Sequence, residues 1–371
     1  MAAEAGVGRA TAARALGGYG AVSPEARARV LAAAEKLRYR PNSLARSMTT
    51  GFTRTIGVVV ADASNPFFAG VMRGIADACT ARGYTAIVLS TDEKLAHEES
   101  AVGVLIDKQV DAIILASAAL QHEDTAHIRE AMNRRIPVVL VDRMVGGLDL
   151  DAVVIDNRDA AVRAMQRFIE VGHRRIALAW GPPLRDPAGD RRQLLHAADH
   201  WLWSQAERLR GYVDALDDAG IRLDPRLVTH CGHNEEETVG AVGAMLALAD
   251  PPTAILTTET DAIVGTLRAL RSAGLTMPRD ISVIGFDDSS WASVMEPPLT
   301  MIAQPMIELG RAAARHAFAR IGGDDGDAIV ETLATALVAR SSIAAPRRDS
   351  TSALTADVES DHPAAMVVLG Q

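Results

Sequence analysis

From residue 56 onward the chain repeats one pattern: a short apolar run without alternation, then an amphipathic stretch, then another apolar run. The runs lie at 56–61, 85–89, 112–115, 138–141, 176–180, 254–257 and 281–286. Apolar residues at every position, rather than every second one, predict strands covered on both faces by helices, so the series reads as βαβ units around parallel sheets. Several runs end on a polar residue: Asp62, Asp142, Asp287 and, shortly after the sixth run, Glu259. Ligands of open parallel sheets sit beyond the carboxyl ends of the strands, which makes these positions candidate binding groups. The series is too long for one sheet, and two similar series meet near Asp156-Asn157, which predicts two lobes with a cleft.

The first 55 residues follow a different rule. An Ala-rich start breaks at Gly6, a helix is predicted over 9–16, and Gly17, Gly18 and Gly20 mark a loop. Ser23-Pro24-Glu25 supplies an N-cap, a first-turn proline and an acid, so another helix begins there. Its apolar Ala26, Val30, Ala33 and Leu37 share one face, leaving Arg27, Arg29, Lys36 and Arg38 towards solvent. Helix, glycine turn and helix form the pattern of a helix-turn-helix unit. A short segment, 41–48, separates it from a Thr/Gly linker. Residues 182–204, rich in charge and proline, read as an insertion or mobile loop, and 347–371 as a disordered tail.

Charge sharpens the division. Residues 1–55 hold nine Lys/Arg against three Glu, a net of +6, so the remainder carries -15 of the formal -9. A basic head on an acidic body points to contact with a polyanion. At 371 residues the chain predicts two or three folded units, at about 150 residues each. No apolar run reaches the ~18 residues of a membrane helix and no export signal follows Met1, so a cytoplasmic protein is expected. Cys79 and Cys231 form no CxxC pair and are expected to be core thiols.

In order and spacing, a set of strings resembles the lactose-repressor and galactose-repressor (LacI/GalR) family of bacterial transcription regulators. They are Ala5-Gly6-Val7, Thr11 with Arg14 and Leu16, Val22-Ser23, Tyr39-Arg40-Pro41-Asn42, Leu44-Ala45-Arg46-Ser47, Asn65-Pro66-Phe67-Phe68, Val141-Asp142-Arg143, Gly172-His173-Arg174-Arg175-Ile176, Gly285-Phe286-Asp287-Asp288 and Pro297-Pro298-Leu299-Thr300. The resemblance spans residues 1–345. It implies an N-terminal all-α helix-turn-helix (1–40), a hinge helix and linker (41–55), and an α/β two-lobed periplasmic-binding-protein-like effector domain with two doubly wound parallel sheets (56–346). Lobe 1 is expected at 56–155 plus 297–325, and lobe 2 at 156–296 plus 326–346.

The resemblance further implies that Arg9, Ala10, Thr11 and Arg14 face the DNA major groove. There an arginine pairs bidentately with guanine. Asn42, Ala45, Arg46 and Met48 would belong to a hinge helix that orders on operator DNA, with Met48 as the minor-groove wedge where the family usually has Leu. Family members carry residues ahead of the position of Met1, so the resemblance implies either a start upstream, which is the expectation, or a shortened first helix with weaker DNA affinity. On the same grounds Asn65, Phe67, Phe68, Asp142, Arg143, Arg208, Asp287 and Gln304 fall on sugar-contacting positions, and Trp291 offers a further stacking surface. Glu259 stands where the family usually has an amide, which disfavours anionic effectors and favours neutral or amino sugars. For Phe67, Phe68 and Trp291 the alternative is core packing. For Asp142 and Asp287 it is loop capping.

The expected protein is a sequence-specific repressor under allosteric control by a small effector, a neutral mono- or small saccharide. It would act as a homodimer, with a tetramer as the alternative assembly, on double-stranded operator DNA. Without an export signal a solute-binding protein is disfavoured, and the absence of GxSxG, GxxxxGK[ST] and HExxH motifs disfavours an enzyme. No cofactor or membrane partner is expected. His196 and His200, four apart, lack a third ligand, so no metal site is expected.

Overall fold

The structure, a computed structural model, describes residues 1–17, 20–39, 51–181, 189–231 and 234–347. Its two compact units are Met1–Asp156 with His200–Ser204 and Pro305–Ala334, and Asn157–Asp199 with Gln205–Gln304 and the chain from Thr335. The hinge residues Asn42, Ala45, Arg46 and Met48 and the tail beyond 347 lie outside the described residues.

The head has helices α1 (Arg9–Gly17) and α2 (Pro24–Lys36). Ser23 caps α2 by accepting from the Ala26 N–H at 3.3 Å, with Pro24 in the first turn, as the sequence predicts. Ala5, Ala12, Ala15, Val30 and Ala33 form a small core. Leu37, assigned to the buried face, is exposed because α2 ends at Lys36 and Leu37 is its C-cap.

The first unit carries a six-stranded sheet ordered β2-β1-β3-β4-β5-β11, wholly parallel. Its strands are β1 (Thr55–Val60), β2 (Thr85–Ser90), β3 (Ala112–Leu115), β4 (Val138–Val141), β5 (Asp151–Ile155) and β11 (Val330–Leu333). Helices α3 (Pro66–Ala81), α4 (Leu95–Asp107), α5 (Ala126–Asn133) and α12 (Met306–Ile321) cover it. The close approach of α3 to α12 depends on glycine: a Cβ on Gly74 would lie 2.0 Å from the Ile307 carbonyl oxygen, and one on Gly310 2.0 Å from that of Val71.

The second unit repeats the order as β7-β6-β8-β9-β10-β12. Here β6 is Ile176–Trp180, β7 Val228–His230, β8 Ala254–Thr257, β9 Ser282–Phe286, β10 Thr300–Ala303 and β12 Ala336–Val338. The edge strand β12 runs antiparallel to β10, a departure from the expected all-parallel sheet. The helices are α6 (Asn157–Glu170), α7 (Arg191–Ala198), α8 (Trp203–Asp218), α9 (Glu235–Leu246), α10 (Thr260–Ser272) and the short α11 (Ser290–Val294).

The chain passes between units at 157, next to the expected 156, again at 200 and 205, and then at 305 and 335 rather than near 297 and 326. The strand Thr300–Ala303 pairs with β9, and Val330–Leu333 with β5, so each extends the sheet of its own unit. Of the stretch 182–204, expected as an insertion or mobile loop, residues 182–188 lie outside the described residues, and helix is found within the rest. Asp190 caps a two-turn helix at 191–198 by accepting from the Gln193 N–H at 2.9 Å, and Leu194 and Ala198 are buried. Cys79 and Cys231 are free and buried, and burial pushes the Cys79 thiol up to about 11.

Candidate functional site

In each unit the carboxyl ends of the strands gather polar side chains. Both sheets reverse strand order at the first strand of their series, between β1 and β3 and between β6 and β8. Such a switch point is where open α/β sheets leave room for a ligand.

In the first unit Asp142 follows β4 with a φ of 72°, in the left-handed region that Asp tolerates better than most residues. Its N–H is fixed to the Val153 carbonyl of β5 at 2.9 Å. The next residue, Arg143, is buried and has its donors organised. Its Nε donates to Asp142 at 3.0 Å, Nη1 and Nη2 to the two oxygens of Glu93 at 2.6 and 2.7 Å, and Nη1 also to the Ser117 carbonyl at 3.0 Å. Burial opposes the guanidinium charge, but Glu93 and then Asp142 more than offset it, so Arg143 titrates above its ordinary range.

Ser117 is itself held from below. Its hydroxyl donates at 2.8 Å to Glu98, which is wholly buried, accepts from the Ala118 N–H and lies 2.7 Å from His127 Nε2. Asn65 caps α3 through the Phe67 N–H at 2.9 Å. Phe67 and Phe68 are 4% and 3% exposed and pack edge to face within the core of the unit, so their described contacts are those of the core alternative.

In the second unit Asp287 follows β9 with φ 70°, its N–H on the Ile302 carbonyl of β10 at 3.0 Å, repeating the geometry of Asp142. Its carboxylate accepts from the amide of Gln304, which follows β10. Because a carboxylate only accepts, this bond fixes the Gln304 amide with nitrogen towards Asp287. Gln304 Oε1 is buried with no hydrogen-bond partner. Arg208 of α8 donates from Nε to Asn157 at 2.8 Å and from Nη1 to the Thr258 carbonyl, and its guanidinium lies 4.3 Å from the centre of the Phe286 ring. Glu259 begins α10 and accepts from Gln205 at 3.3 Å. Trp291 is half-buried against the core of the unit.

Sequence reasoning left out Glu93, Ser117, Asn157 and Gln205. Only Asn157, at the seam between the two series, had a local signal. Conversely, His173 of the Gly-His-Arg-Arg-Ile string is structural. It is 1% exposed, with Nε2 2.8 Å from the Ala344 carbonyl and Nδ1 2.8 Å from the Thr253 hydroxyl.

In the head, Arg9 and Ala10 are exposed, Thr11 and Arg14 are half-exposed, and Ala12 and Ala15 are buried. Arg14 Nε donates to the Ala10 carbonyl at 3.3 Å. His200 stacks edge-on with His122 at 5.1 Å, and among the described residues no group of three or more His, Cys, Asp or Glu could hold a metal ion. Nor is any described helix long and apolar enough to cross a membrane.

These features define a helix-turn-helix protein with a two-lobed, periplasmic-binding-protein-like body. Residues 1–42 match the family described as bacterial regulatory proteins, lacI family, and residues 165–343 the periplasmic binding protein-like domain. The chain is 34% identical over 349 residues to the HTH-type transcriptional regulator CelR of Thermobifida fusca, covering 92% of this chain and 96% of that one. Among solved structures, a transcriptional regulator CelR-cellobiose complex superposes with a TM-score of 0.68 at 32% identity, covering 92% and 98% of the two chains. A LacI family regulator from Enterococcus faecium with bound ribose gives 0.66 at 27%, covering 79% and 100%. The chain belongs to the LacI family of bacterial DNA-binding transcriptional regulators.

Proposed function

We propose that this regulator is a repressor whose grip on operator DNA is set by a mono- or small saccharide bearing no anionic group. The observation that carries the DNA half is the face of α1: Arg9 and Ala10 stand outward while Ala12 and Ala15 are buried. That is the disposition a recognition helix needs in a major groove. Arg9, Ala10, Thr11 and Arg14 read base edges in this proposal, and Asn42, Ala45, Arg46 and Met48 engage the minor groove and backbone. A homodimer presents two such heads to a pseudo-palindromic operator.

The effector half is supported by the polar sets at the strand ends: Asn65, Asp142 and Arg143 in one unit, Arg208, Glu259, Asp287 and Gln304 in the other. Carboxylates, a guanidinium and amides at such positions suit the hydroxyls of a sugar. Solved relatives with bound cellobiose and ribose support the same class. Phe67, Phe68 and Trp291 serve this reading only as the apolar packing beneath. Effector and operator are linked through their differential affinities for two conformations. The test is a thermal-shift screen of saccharides on the purified chain, followed by operator footprinting with and without each hit. A sugar that binds and changes operator occupancy supports the proposal; binding with no change in occupancy sinks the allosteric half.

A further inference from the structure

Resting on the reading that paired heads bind one operator, we infer that Asp111 is a positioning residue for DNA recognition: it fixes the point at which the linker leaves the first unit and so limits the half-site spacings the heads can reach.

Asp111 stands on a rigid turn. Just past α4, Gln109 takes φ 56°, the left-handed conformation that commonly closes a helix, and Val110 is buried in the core of the unit. From that turn each Asp111 oxygen accepts one linker amide: Oδ1 the Thr53 N–H and Oδ2 the Arg54 N–H, both at 2.8 Å. The Thr53 hydroxyl lies 2.9 Å from Oδ1 and 3.0 Å from the Gln109 carbonyl. A carboxylate only accepts, so it suits two successive backbone donors, and taking one on each oxygen sets the direction of the chain as well as its position.

These side-chain bonds reach beyond the sheet. Strand β1 begins at Thr55 and its pairing with β3 at Ile56 and Ala112, so Asp111 holds the two residues ahead of the strand. A second hold acts on Arg54 from the β2 side: its carbonyl accepts from the Thr85 N–H at 2.9 Å, and its Nη1 donates to the Arg82 carbonyl at 3.3 Å. Arg54 has φ 54°, a left-handed backbone that a non-glycine residue keeps only where its surroundings hold it. Loss of the Asp111 carboxylate frees Thr53 and unties the Arg54 amide, lengthening each tether by one to two residues. That is roughly 3–7 Å at full extension, against about 3.4 Å per base-pair step. Joining two heads raises affinity most when the tether matches the span, and a longer, looser tether both dilutes the second head at the right spacing and admits wrong ones.

The test uses an operator selected from random duplexes by the full-length parent, derivatives with half-sites one or two base pairs closer or farther apart, and a duplex with a single half-site, all titrated by fluorescence anisotropy. In the parent, a shift of one base pair should cost at least about tenfold, part of the roughly 10²–10⁴-fold that joining two heads can supply. In Asp111→Ala that penalty should fall to about threefold or less, while affinity for the single half-site changes by less than about twofold because the contacts of each head are intact. Asp111→Asn keeps one accepting oxygen and should retain part of the penalty. Near-UV circular dichroism reports whether each variant is folded, and either folded variant suffices. A merely structural Asp111 would lower the active fraction and weaken every duplex by one factor, leaving the spacing penalty at its parental value. That result, or failure of both variants to fold, overturns the inference and leaves the paired-head reading standing. A parent indifferent to spacing removes the paired-head reading itself, and this inference with it.

Discussion

Arg143 and Glu93, fifty positions apart, meet through two hydrogen bonds of 2.6 and 2.7 Å. Each comes from the residues just beyond a strand: Glu93 three past the end of β2, in a left-handed backbone of φ 56°, and Arg143 two past the end of β4. The arrangement orients the Arg143 guanidinium before any ligand is present. The same pair ties two loops of one sheet.

Glu93→Gln therefore leaves a buried guanidinium facing a neutral amide. The expected cost is about 1–3 kcal/mol, less than for a fully buried pair because the Glu93 side chain is 26% exposed. Urea denaturation gives this number directly, and effector affinity should fall alongside it. A variant as stable as the parent would mean that Asp142 and the Ser117 carbonyl hold Arg143 unaided.

His173 predicts a pH dependence. Burial pulls its imidazole below the ordinary 6.5, and the Ala344 carbonyl only partly opposes this. The unfolded chain therefore binds the proton first as pH drops, so the contribution of His173 is complete above about pH 6.5 and is lost as pH falls below it. The Ala344 carbonyl takes the proton on Nε2, so in the neutral ring Nδ1 is the unprotonated nitrogen facing the Thr253 hydroxyl at 2.8 Å, and a second proton there places a charge on a buried ring. Unfolding free energies of the parent and His173→Gln, measured from about pH 8 to pH 5, should converge as the medium turns acid. Parallel curves would rule out this origin.

Why some of this was legible in the sequence and some was not has a physical reason. Runs such as 112–115 and 254–257 are buried on both faces, so their apolar character is continuous and visible. The edge strands Val330–Leu333 and Ala336–Val338 are half exposed and short, and only pairing with a distant strand makes them strands. The helix Arg191–Ala198 buries just Leu194 and Ala198, too thin a stripe to stand out from its charges. In the candidate site, Asp142 and Asp287 stood out because they sit at strand ends within recognisable strings, whereas Gln304 came only from the family resemblance. Glu93 did not stand out, since nothing near it in sequence signals a partner fifty residues on.

Glycines separate close packing from mere helix weakness. Gly310→Ala places a methyl 2.0 Å from a backbone carbonyl oxygen between α3 and α12, so the helices must move apart at about 1–3 kcal/mol or more. Gly103, inside α4, has nothing within 4 Å of where its Cβ would be. Gly103→Ala should instead stabilise by about 0.4–1 kcal/mol, as the unfolded chain loses freedom. Melting curves of the two variants should therefore shift in opposite directions. A shift in the same direction would contradict the assigned packing.

Arg14 lies on the exposed side of α1, its Nε steadied by the Ala10 carbonyl and its stem beside Gly20. If it reads a base edge, Arg14→Ala should cost about 1–3 kcal/mol at one position of an operator recovered by selection from random duplexes. Elsewhere in the site, preference should be unchanged. A phosphate contact behaves otherwise, since it is blind to sequence and releases counterions. On the proposed reading Arg46→Ala weakens all duplexes alike and lowers the slope of log affinity against log salt by about 1. The two variants, titrated against matched and mutated operators at several salt concentrations, should thus fail in different ways. Unchanged operator selectivity in Arg14→Ala would remove this arginine from the groove and leave the reading of bases to Arg9, Ala10 and Thr11.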